Sequence, residues 1–146
     1  MGLDMYLTAR RWVSEYSDPE LHAALSVVTK SIRGGKPVQE ITVEAMYWRK
    51  ANQIHAWFVD NVQNGQDDCR PYYVMRSQLQ ELKDLVDQCL ADRTAAPLLL
   101  PPQAGSFFGG LEIDDWYWQD LERTSQELAE VLLMDDRWEF YYRSSW

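Results

Sequence analysis

The sequence predicts an α+β domain: a small, mostly antiparallel sheet of three to four strands packed against about four helices. Three observations carry this expectation. Both ends of the chain alternate in polarity with a period of two, apolar stripes at helical spacing fill the middle, and neither an internal repeat nor a linker divides residues 1–146, so one domain is expected. The order, β-α-β-α-(β)-α-α-β, is not the regular alternation that builds a parallel sheet, and the strands are few and partly amphipathic.

Along residues 3–10, Leu3, Met5, Leu7 and Ala9 alternate with Asp4, Tyr6, Thr8 and Arg10, the pattern of a half-buried strand. Asp18 and Pro19 then read as a helix cap and first turn, with Leu21, Leu25, Val28 and Ile32 as the inner stripe, His22 facing solvent, and Gly34-Gly35 as the stop. Ile41, Val43 and Ala45 alternate as a second strand that runs directly into a central helix over residues 47–62. On that helix Tyr47, Ala51, Ile54, Phe58 and Val62 form one stripe, widened by Trp48, His55 and Val59. Residues 64–71 are turn-rich, and Tyr72-Tyr73-Val74 forms a small strand. Ser77 with Gln80 reads as a capping box for a helix whose inner stripe is Leu79, Leu82, Val86, Cys89 and Leu90. Residues 94–110, with Pro97, Pro101 and Pro102, read as one loop of about 17 residues, a length more often functional than incidental. Asp114 or Asp115 caps the last helix, whose inner face is Tyr117, Leu121, Thr124, Leu128, Val131 and Leu132. Residues 138–143 close the sheet.

Composition narrows the function classes. The chain is 46% hydrophobic, with seven Trp, eight Tyr and four Phe, so large rings supply much of the buried area or wait for a partner. Twenty-three Asp and Glu against fourteen Lys and Arg give a net charge of -9 and a pI near 4.6. Such a surface repels phosphate backbones and anionic lipid, so no direct nucleic-acid or membrane partner is expected. The opening residues have neither the basic region nor the apolar run of a secretion signal, and no segment approaches the ~20 apolar residues that cross a bilayer. A cytoplasmic protein with reduced Cys69 and Cys89 is the expectation.

No enzyme signature stands out, and no cofactor or metal is expected. Two histidines, His22 and His55, are too few for a convincing metal site. Cys69 follows Asp67-Asp68, whose carboxylates raise a thiol pKa, the wrong direction for a nucleophile. Ser106 lacks the Gly-x-Ser-x-Gly elbow, and Gly105, Gly109 and Gly110 lack phosphate-loop spacing. Two candidate surfaces are left. Helical geometry would set Trp48, Arg49, Asn52 and His55 beside a loop carrying Gln103, Phe107 and Phe108, a pocket suited to a small ligand such as a nucleotide. The simpler role for His55 is a hydrogen bond to Asn52 or a backbone carbonyl, and for Phe107 and Phe108 a place in the core. The outer face of the last helix offers Trp116, Asp120, Glu127 and Glu130 to a protein partner, against the simpler reading of a solvated acidic face.

Four blocks carry a resemblance over most of the chain: the opening Met-Gly-Leu-Asp-Met-Tyr-Leu, the central Tyr-Trp-Arg-Lys-Ala-Asn-Gln-Ile-His-Ala-Trp-Phe-Val, Leu-Leu-Pro-Pro-Gln-Ala-Gly-Ser-Phe-Phe-Gly, and the closing Phe-Tyr-Tyr-Arg-Ser-Ser-Trp. In these the chain resembles a group of small proteins encoded by tailed phages and prophages. The resemblance implies no catalytic residues. It implies an accessory protein in a bacterial host cell that binds and inhibits or modulates a host protein or defence complex, with a small-ligand binder as the alternative.

Overall fold

The computed structural model describes residues 2–105 and 109–146. The chain forms β1 (Asp4–Trp12), α1 (Pro19–Leu25) with a 3₁₀ turn behind it (Ser26–Thr29), β2 (Glu40–Arg49), α2 (Asn52–Asn61), β3 (Tyr72–Val74) and α3 (Arg76–Ala91). A second 3₁₀ turn (Arg93–Ala95) runs into α4 (Ala96–Leu99), followed by α5 (Asp115–Val131) and β4 (Glu139–Ser145). The strands make one sheet in the order β2-β1-β4-β3, with every neighbouring pair antiparallel. The α+β class and the antiparallel sheet agree with the sequence.

The sheet buries one face. Leu3, Met5, Leu7 and Ala9 share that face with Met46 and Trp48, Phe140 and Tyr142, and Val74. Ile54 and Phe58 of α2, Leu79, Leu82, Val86 and Cys89 of α3, and Tyr117, Leu121, Leu128 and Val131 of α5 close over it. The helical stripes of α3 and α5 therefore lie where their periodicity put them. On the opposite face Tyr6, Thr8, Arg10, Tyr73, Tyr141 and Arg143 have no place in the buried core.

Six sequence expectations are corrected. Residues 47–49 end β2 rather than open a helix, and α2 begins only at Asn52. The cause is a bulge: pairing steps from Leu7–Met46 to Thr8–Glu44, so Ala45 is extra and the inward set changes parity there. Met46 and Trp48 face the core behind the bulge, and Lys50, at φ 59, makes the turn into α2. The stripe expected after Pro19 is not a core element, since α1 has no buried residue and Val28 and Ile32 are exposed. The Asp18 carboxylate is held by Arg11 and Arg137 and does not cap the helix; His22 is half-buried. α3 starts one residue before Ser77, and its cap bond runs from the Met75 N–H to Gln78 Oε1 at 2.9 Å. The supposed long loop opens with helical turns pinned by buried Ala96 and Leu100, and Pro97 sits in the first turn of α4, where proline is tolerated. No helix among the described residues is long and apolar enough to cross a membrane.

Candidate functional site

The end of β2 and the first turns of α2 and α5 meet around a cleft of about 520 Å³, within the range of small-molecule sites. β2 and the turn after it give Arg49 and Lys50, and α2 gives Asn52 and Gln53. α5 and its cap give Asp114, Trp116, Tyr117, Asp120 and Arg123, and the 102–112 segment adds Pro102, Gly109, Gly110 and Glu112.

Hydrogen bonds fix these walls. Asn52 Nδ2 donates to the Gly110 carbonyl at 2.9 Å while its Oδ1 accepts from the Gln103 N–H at 3.0 Å, so one buried amide ties together both limbs of the loop. Tyr117 O–H donates to the Leu100 carbonyl at 2.8 Å, and the Tyr117 N–H donates to Asp114 Oδ1 at 3.0 Å, capping α5. The Lys50 N–H is held by the Leu3 carbonyl at 2.8 Å. Gly109 passes close to the Lys50 backbone at φ +92, a conformation in which a side chain would be strained.

Three cations and three carboxylates line the cleft, so locally the charge balances in a chain of net charge -9. Their states differ. Arg123 donates to Glu127 at 2.6 Å and to the Tyr47 carbonyl. Burial, reinforced by the charge of Asp114 and opposed by that of Arg123, lifts the Asp120 carboxyl to about 6. Trp116 is 73% exposed at the rim. Gln53 is only 4% exposed, and its side-chain nitrogen has no hydrogen-bond partner among the described residues.

The expected site residues divide. Arg49 and Asn52 from the ligand set and Trp116 and Asp120 from the partner set lie together in this one cleft. Asp120 is thus a wall of a cavity and not part of a solvated helix face. Gln103 borders a smaller hollow of about 120 Å³ that also touches Gln53. Glu127 is engaged by Arg123, and Glu130 is exposed away from the cleft. Phe107 and Phe108 lie outside the described residues.

Trp48 and His55 are interior residues. The Trp48 indole N–H donates to Thr124 Oγ1 at 2.8 Å, and that hydroxyl donates to the Asp120 carbonyl at 2.6 Å. His55 bonds through Nδ1 to the Tyr142 hydroxyl at 2.7 Å and through Nε2 to Asp67 at 2.9 Å, while the Trp146 indole donates to the same carboxylate at 3.0 Å. Burial first, then the nearby Asp67 and Cys69, push the Tyr142 phenol well above its ordinary value, so it keeps its proton beside the imidazole. Neither cleft is lined by any of these four residues, and the relay fastens the last strand to the 62–71 segment.

Sequence reasoning missed Lys50, Gln53 and Arg123 as site residues. Lys50 adjoins Arg49 and was open to notice, whereas Gln53 and Arg123 reach the cleft only through the packing of α5 against β2. Among the described residues no group of three or more His, Cys, Asp or Glu is arranged to hold a metal ion. Comparison with protein-family models, curated proteins and solved structures finds no match to this chain.

Proposed function

We propose that this chain is a binding protein for a small molecule, and that the cleft between α2 and α5 is its site. The observation that carries this reading is the cleft itself, which at about 520 Å³ has room for a small ring compound. Support also comes from Trp116, whose exposed indole offers a stacking surface for a planar ring, and from the Asn52 clamp that keeps the cleft walls in place. A screen of ring-bearing metabolites by thermal shift tests the reading. Ligands are expected to raise the melting temperature of the native chain and to lose about tenfold in affinity with Trp116→Ala. Ligands that bind Trp116→Ala as tightly as the native chain contradict it.

A second reading, a phage accessory protein that inhibits or modulates a bacterial host or defence factor, is favoured by the exposure of Trp116 and Glu130 on an acidic chain. A tagged pull-down from bacterial lysate distinguishes it. A stoichiometric protein lost on Trp116→Ala with Glu130→Lys supports that reading, and a small molecule released from the denatured sample supports the first.

A further inference from the structure

Deepening the small-molecule reading, and resting on it, we infer that Asp120 sets the specificity of the cleft: its carboxylate accepts two adjacent N–H donors on the edge of a planar ring that stacks on Trp116. The ligand is then a ring with an amidine-type edge, an N–H beside an NH₂, as in guanine. Three features of the cleft converge on that class.

The first is the placement of the two side chains. Trp116 and Asp120 both line the cleft and lie four residues apart on α5, with Arg123 continuing the same stripe. Residues at this spacing hold their Cβ atoms within about 6 Å of each other, so a ring lying on the exposed indole turns one edge to the carboxylate.

The second is that the Asp120 carboxylate is short of donors. It is half-buried, and among the described residues no hydrogen bond or ion pair reaches its oxygens, since the Thr124 hydroxyl bonds to the backbone carbonyl instead. Arg123, the cation whose charge acts on it, is committed to Glu127 and to the Tyr47 carbonyl. Asp114, the carboxylate whose charge it feels, is occupied as the cap of α5. Burial raises the Asp120 carboxyl to about 6, the direction expected of a charge drawn out of water with no donors to replace it. A ligand N–H pair supplies those donors.

The third is charge balance. Arg49, Lys50 and Arg123 offset Glu112, Asp114 and Asp120, so the cleft as a whole exerts no net pull on a cation. A neutral edge with paired N–H donors needs none, because it meets the two oxygens of a carboxylate in two parallel hydrogen bonds. The volume of about 520 Å³ accommodates a compound the size of a nucleoside.

Chemical-shift titrations of the backbone amides and the Trp116 indole with guanosine, inosine and adenosine test the assignment. Inosine keeps the ring N–H and lacks the NH₂, and adenosine sets its NH₂ beside a ring nitrogen without a proton. Guanosine is expected to shift the Trp116 indole N–H saturably and to bind at least about tenfold tighter than the other two at pH 7.5. Asp120→Asn conserves shape and replaces one oxygen by an NH₂, so it should bring guanosine down to the level of inosine, whereas Trp116→Ala should weaken all three. A carboxylate with only a structural role would leave the ratio of guanosine to inosine affinity unchanged in Asp120→Asn. Guanosine that binds no better than inosine, or does not bind, would overturn the donor-edge assignment, and the cleft reading stands wherever any of the three still shifts Trp116. Shifts from all three that avoid the cleft altogether would overturn both.

Discussion

Thr124 shows how one side chain serves both core and cleft. Its hydroxyl accepts the Trp48 indole N–H, deep under the sheet, and donates a hydrogen bond to the backbone carbonyl of Asp120 on the cleft wall. Thr124→Val conserves shape but leaves the buried indole unpaired, so chemical denaturation should register a loss of about 1–3 kcal/mol with no change in secondary structure. A loss below about 0.5 kcal/mol would show that this bond contributes nothing net. Asp120 gives a pH signature of opposite sense to an ordinary paired carboxylate. Burial raises its folded pKa to about 6, above the ordinary aspartate value of 3.8, so the folded state holds the proton more tightly than the unfolded state. Stability attributable to this group is therefore fully present at low pH, declines as pH rises from about 4 through 6, and is lost above that. Asp120→Asn should exceed the native chain by about 1–3 kcal/mol at pH 7.5, and the difference should vanish near pH 4. A difference independent of pH would mean that the carboxyl is not driven by burial. At this scale the sequence was informative about residue type more than role. Arg49, Asn52, Trp116 and Asp120 stand out by chemistry, but that they share one cavity depends on α5 packing beside β2, which local pattern does not encode.

At the scale of elements, helices with a continuous partner were legible and those without one were not. α3 and α5 bury the residues that their 3.6-residue spacing selects, because each lies along the sheet and its apolar stripe is used over its whole length. The segment after Pro19 has a comparable stripe and no partner to receive it, so propensity alone sustains only α1 and the turn behind it. Val28→Asp should therefore change stability by less than about 0.5 kcal/mol, whereas Leu82→Ala in α3 should cost about 2–5 kcal/mol. Equal effects in urea denaturation would mean that the segment is a core element after all. The bulge in β2 was invisible for a different reason. Period-two alternation reports a strand only while its register is constant, and Ala45 breaks it with no glycine or proline to mark the place. Residues 47–49, read past that break, look like the first turn of α2.

Across the whole molecule, the antiparallel sheet has two faces with different fates. One is sealed by α2, α3 and α5, and the ring of Tyr142 at its centre stacks on Phe58 at 3.8 Å between centroids. The other carries Tyr6 and Tyr141 with Arg143 and Arg10 stacked on their rings at 4.6 and 4.3 Å. The relay from Trp146 through Asp67 and His55 to Tyr142 joins the end of the chain to the sealed side. His55→Ala should thus act on stability and leave cleft affinity unchanged. Among the described residues the cleft at Trp116 and the open sheet face both offer aromatic rings, and it is the cleft that binds. Intermolecular nuclear Overhauser contacts from a bound ring compound measure this directly. These contacts are expected at Trp116 and at residues 49–53, and contacts instead with Tyr6, Tyr141 and Tyr73 on the open face would show that the cleft is not the binding surface.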